Sequence, residues 1–182
     1  GARVHHFDKD SSSTIWTYTS GTYVHSVGIS ADGEYIVAGR DDNKLYLFDK
    51  DSNSPLWSYT TGGSVYSVAI SADGEYIIAS SLDNSICFFD KDSSTPLWTY
   101  TTGAYVHSVA ISADGEYIVA GGDDNKVYLF DKDSNSLLWS YTTGGSVYSV
   151  AISADGEYIV AGSLDNSLCF FDQDSSTALW GY

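Results

Sequence analysis

The stretch FDKDSNSPLW, Phe48 to Trp57, sets Asp49, Asp51 and Asn53 at alternate positions, and Asp131, Asp133 and Asn135 repeat the pattern. Oxygen donors spaced this way open a calcium loop. A helix–loop–helix loop also needs Gly at its sixth position and Glu at its twelfth. Counted from Asp49, those places hold Ser54 and Thr60. The other copies drift to DKDSST from Asp90 and DQDSST from Asp172. Short Asp, Ser and Asn side chains also bond local backbone and favour turns. The stretch is therefore expected to be a corner between strands, with a weak acidic cation site as the chemical alternative.

A second set has the character of contact groups. Tyr23 and His25 recur as Tyr105 and His107, and Ser64 and Tyr66 recur as Ser146 and Tyr148. Exposed aromatic residues make good anchors for a ligand or protein partner. Arg40 is the one charged residue among its equivalents Ser81, Gly122 and Ser163, so it joins Tyr23, His25, Tyr66, Tyr105, His107 and Tyr148 as a candidate. His5 and His6 are adjacent, and on a strand they point to opposite faces, which does not suit a shared metal. No G-x-S-x-G, H-E-x-x-H or phosphate loop occurs, and the serines lie in turns. No catalytic residue and no cofactor is expected, and the chain is read as non-enzymatic.

These residues are positioned by a repeat. ADGEY begins at Ala31, Ala72, Ala113 and Ala154, a step of 41, and Trp16, Trp57, Trp98, Trp139 and Trp180 keep the same step. DDNK in repeats one and three alternates with SLDNS in two and four, so the duplicated unit is a pair of 82 residues. Within a repeat, VYSVAIS alternates as a half-buried strand does, and ADGE turns the chain at Gly74. YIIAS, ICFFD and PLWTYTT follow as three more strands. Pro55 and Pro96 open the fourth strand, where proline is tolerated. Four short antiparallel strands repeated in this way describe a blade, and the fold class is an all-β propeller of four-stranded antiparallel blades.

The middle of each repeat resembles the WD-repeat family. SADGEYIVAGRDDNKLYLFD, Ser30 to Asp49, follows that family's pattern with Phe48 in place of its Trp and TGGS in place of its Gly-His pair. The resemblance implies that Asp42, Asp83, Asp124 and Asp165 bond backbone N–H groups of a tight turn. The last part of each repeat is similar to the pyrroloquinoline-quinone (PQQ)-like propeller repeat, in which an Asp precedes a Trp by eight, as Asp49 precedes Trp57. Both families host enzymes and scaffolds on one architecture. The PQQ-type dehydrogenases use a larger propeller with metal ligands and a stacking tryptophan.

Strands labelled A to D give one array: an extra C–D half-blade at 1–23, then repeats at 24–64, 65–105, 106–146 and 147–182. Both ends therefore carry the same half-blade. The expected outcomes are exchange of blades or strands into a homo-oligomer, membership of a longer propeller, or a surplus hairpin beside a small ring. The D–A and B–C turns are expected on one face of the disc, and the acidic A–B and C–D turns on the other.

The net charge of −16 repels nucleic acid and anionic membranes and favours cations or basic partners. No apolar run reaches the roughly 18–20 residues of a membrane span, and no signal peptide is read. Cys87 and Cys169 lie in apolar runs and are expected to be buried. The acidic, Ser/Thr/Tyr-rich composition leans to a secreted or cell-surface protein. The function expected is a structural or protein-interaction scaffold. The alternative is a lectin-like or cation-binding propeller with repeated weak sites, so protein, glycan and divalent cation are the partner classes.

Overall fold

The computed structural model describes residues 2–182. A first hairpin, β1 (Arg3–Phe7) and β2 (Thr14–Thr19), precedes four sheets of four antiparallel strands. The first full blade is β3 (Val24–Ile29), β4 (Tyr35–Arg40), β5 (Lys44–Asp49) and β6 (Pro55–Thr60). The second is β7 (Val65–Ile70), β8 (Tyr76–Ser81), β9 (Ser85–Asp90) and β10 (Trp98–Thr101). The third is β11 (Val106–Ile111), β12 (Tyr117–Gly122), β13 (Lys126–Asp131) and β14 (Leu137–Thr142). The fourth is β15 (Val147–Ile152), β16 (Tyr158–Ser163), β17 (Leu168–Asp172) and β18 (Trp180–Gly181). Each blade pairs its strands in sequence order, as expected of a propeller. Among the described residues no helix is long and apolar enough to cross a membrane.

Turn chemistry sets the register. In the A–B turn, Ser71 accepts the Tyr76 N–H at 3.0 Å and donates to Asp73, which accepts the Glu75 N–H. Gly74 there has φ +76°, a conformation that strains any residue with a Cβ. In the B–C turn the left-handed position is Asn, with φ between 64° and 70° at Asn43, Asn84, Asn125 and Asn166. The preceding aspartate accepts the backbone N–H two residues on, for example Ser85 to Asp83 at 2.9 Å. One strand start differs from expectation. Pro55 opens β6, but β10 begins at Trp98, although the Leu97 N–H still reaches the Phe88 carbonyl of the neighbouring strand.

Blades pack face to face through one repeated interface. Val37, Leu45 and Leu47 of the first blade meet Val65, Val68, Ile77, Ala79, Cys87 and Phe89 of the second. The same positions recur between the second and third blades and between the third and fourth. Phe48, Phe89, Phe130 and Phe171 are each 0% exposed, and burying one contributes on the order of 1.5–3 kcal/mol. Polar bonds align the blades as well. Val68, Val109 and Val150 donate their N–H groups to Ser26, Ser67 and Ser108 of the blade before. Ala31, Ala72 and Ala113 donate theirs to the carbonyls of Ala72, Ala113 and Ala154.

The array is an open arc. Val27 is 59% exposed, whereas its equivalents Val68 and Val109 are 6%. The first hairpin covers only the outer half of the first blade, where Val4 and Trp16 pack on Ile36, Ala38, Tyr46 and Phe48. A groove of ≈ 360 Å³ beside β1 is left between Val4, His6, Val27, Ile29 and Ile36. At the other end Tyr158, Leu168 and Trp180 are 41%, 41% and 49% exposed.

Candidate functional site

The D–A and B–C turns do share one face. Ser64, in a D–A turn, donates to Asp41, in a B–C turn, at 2.9 Å. The second residue of each A strand points to this face, and the 41-residue step brings those residues side by side. The rings of His25, Tyr66, His107 and Tyr148 form a ladder, with successive centroids 5.3, 5.8 and 4.2 Å apart. The last pair is stacked at 16°. Four of the seven expected contact residues are thus brought together.

The two histidines are fixed by carboxylates. His25 Nε2 lies 2.8 Å from Asp41 Oδ1, and His107 Nε2 lies 2.7 Å from Asp123 Oδ1. The bond from His107, with help from Ser146, holds the Asp123 carboxyl below its ordinary value, and His25 and Ser64 do the same at Asp41. His107 is well covered, at 11% exposed, and among the described residues its Nδ1 has no partner. The ladder therefore offers ring faces and edges bordered by negative charge. That combination suits a basic or aromatic group of a partner.

Asp41 and Asp123 were not among the residues expected at the site. Their signal lies in the alternation of repeats. Wherever the A strand carries His, the residue sixteen on is Asp; wherever it carries Tyr (Tyr66, Tyr148), that place holds Leu82 or Leu164.

The other candidates fall elsewhere. Tyr23 and Tyr105 project from the D–A turns at 73% and 49% exposed, flanking the ladder without joining it. Arg40 is 3% exposed and is not a surface contact. It pairs with Asp42 at 2.8 Å, donates to the Ser20 carbonyl and to Thr22, and lies 4.6 Å from the Tyr46 ring centroid. Its position is therefore explained by a tie between the first hairpin and the first blade. In the later blades the equivalent of Asp42 instead accepts a glycine N–H of the D–A turn, as Asp83 does from Gly62.

The corner donors are spent on the corner. Asp49 accepts the Asp51 N–H at 2.8 Å, and Asp131 accepts the Asp133 N–H at the same distance. Asn53 donates to the Thr17 carbonyl and Asn135 to that of Thr99, so each tethers its corner to the preceding blade. The nearest cations are lysines: Lys50 bridges Glu34 and Asp51 at 2.9 and 3.1 Å. Among the described residues no three His, Cys, Asp or Glu side chains gather as a metal site. His5 bonds Thr17 and His6 bonds the Lys50 carbonyl, on opposite faces of β1. Both cysteines are free and buried, and burial pushes the Cys87 thiol up to about 11, far from nucleophilic use.

A family model described as outer membrane protein assembly factor BamB matches residues 1–113 and 106–182, which together span the sequence. No curated protein matches the chain.

Proposed function

Because the chain belongs to the family described as outer membrane protein assembly factor BamB, a family of PQQ-like propellers, we propose that it is a non-enzymatic interaction scaffold. It self-associates or completes a larger ring. The observation that carries this reading is the pair of uncovered blade faces. Val27 and Ile29 at one end are 59% and 56% exposed, and Trp180 at the other is 49%. Apolar patches of this kind, lying on the same faces that pack between blades, mark surfaces made to be covered. The family description supports a protein–protein role and a place on the extracytoplasmic side.

The aromatic ladder supports a second reading, a ligand-binding propeller with one weak site per pair of blades acting through avidity. Two measurements separate the readings. Co-purification of an untagged copy with a tagged one tests the scaffold. Calcium titration and glycan-array screening test the alternative. Retention of the untagged copy with no saturable binding of either probe supports the scaffold; saturable calcium or glycan binding with no retention overturns it.

A further inference from the structure

We infer that the groove beside β1 takes the β15–β16 hairpin of a second copy of this chain, and that β1–β2 completes that copy's fourth blade in place of its β17–β18. The inference rests on the self-association reading and specifies its geometry. Reciprocal exchange joins two chains around one axis. Each contributes four A–B hairpins, so the ring has eight blades, within the usual range of about four to eight.

The two ends carry the halves of the interface seen between the other blades. Ser149 has no N–H from a following valine, and Val27 stands where Val68, Val109 and Val150 donate theirs. Ala154 lacks the carbonyl that the other A–B-turn alanines reach, and the Ala31 carbonyl lacks the N–H that the others receive. Docking β15 beside β3 of a second copy pairs Ser149 with Val27 and Ala154 with Ala31.

Charge distinguishes exchange from simple docking. In the first three blades a corner lysine pairs with the A–B-turn glutamate: Lys50 with Glu34 at 2.9 Å, Lys91 with Glu75 at 3.4 Å and Lys132 with Glu116 at 2.6 Å. In the fourth blade the corner residue is Gln173, so among the described residues Glu157 has no such partner. The equivalent residue of the first hairpin is Lys9, whose one ionic partner among the described residues is the adjacent Asp10. Exchange sets Lys9 opposite Glu157.

Packing points the same way. Phe7 is 53% exposed, while Phe171, its equivalent in the fourth blade, is 0%. Exchange moves Phe7 into that buried place. His5 takes the position of Cys169, and the same strand position accepts a ring at Tyr46 and Tyr128. Because one C–D ladder replaces another of the same design, exchange costs little.

Native mass spectrometry of the full chain and four variants tests the inference. The wild type is expected at twice the 19.7 kDa chain mass. Phe7→Asp, exposed in the lone chain, is expected to be a monomer with unchanged circular dichroism. Phe171→Asp is expected to remain a dimer, since β17 is displaced. Lys9→Glu is expected to weaken dimerisation roughly fivefold, and adding Glu157→Lys to restore it. A wild-type monomer overturns both self-association and exchange. A dimer that ignores Phe7→Asp, is lost with Phe171→Asp, or is not restored by the charge reversal overturns exchange alone.

Discussion

The indole N–H of Trp57 donates to the Lys91 carbonyl at 2.6 Å, across the boundary between two blades. Trp16, Trp98 and Trp139 make the same bond to Lys50, Lys132 and Gln173. The corner that resembles a calcium loop is thus the acceptor for the previous blade's tryptophan. Trp98→Phe keeps a ring against Phe88 and Phe130 but leaves the Lys132 carbonyl without its donor. It is expected to cost about 1 kcal/mol, read from the urea midpoint at constant m-value.

Ser112 is 0% exposed and both accepts the Tyr117 N–H and donates to Asp114. Ser112→Ala strands a buried donor and is expected to cost about 1–3 kcal/mol. Ser153 makes the same bonds on the uncovered fourth blade, where water can substitute. Ser153→Ala is expected to cost less, and equal losses would count against the burial argument.

Asn125 holds φ at 64° in a B–C turn. Asn125→Ala is expected to lose about 1 kcal/mol from left-handed strain, and Asn125→Gly to lose little. Thermal melts of the two variants give the comparison directly.

Asp165 is held at about 2 by the Ser167 hydroxyl and N–H and by the Gly144 N–H, against an ordinary value of 3.8. A carboxyl depressed in the folded state stabilises above its unfolded value, and that contribution is lost as pH falls through the folded one. Stability is therefore expected to drop between about pH 4 and pH 2. Asp165→Asn should flatten that part of the curve. An unchanged acid limb in the variant would show that the turn carboxylate is not responsible.

The blade was legible because its determinants are local: alternating strands, the Ser-x-Asp-Gly turn and a tryptophan at fixed spacing. The Asp83-type turn carboxylate was implied by the resemblance to the WD-repeat pattern, and it does accept the Ser85 N–H. The ladder was legible only in part. His25 and Tyr66 repeat visibly, but stacking between them depends on how blades are set around the axis. Arg40 was misread as a surface contact because a lone charge among small equivalents looks exposed. Its burial depends on Tyr18, Tyr46 and Asp42 closing over it, a tertiary arrangement no short window contains.

The central claim is that the uncovered faces at Val27 and Tyr158 are covered in solution by another copy of the chain. Light scattering across a dilution series from tens of micromolar to sub-micromolar measures this most directly. The account predicts twice the chain mass at the concentrated end, falling towards 19.7 kDa on dilution. A folded monomer at every concentration would contradict it.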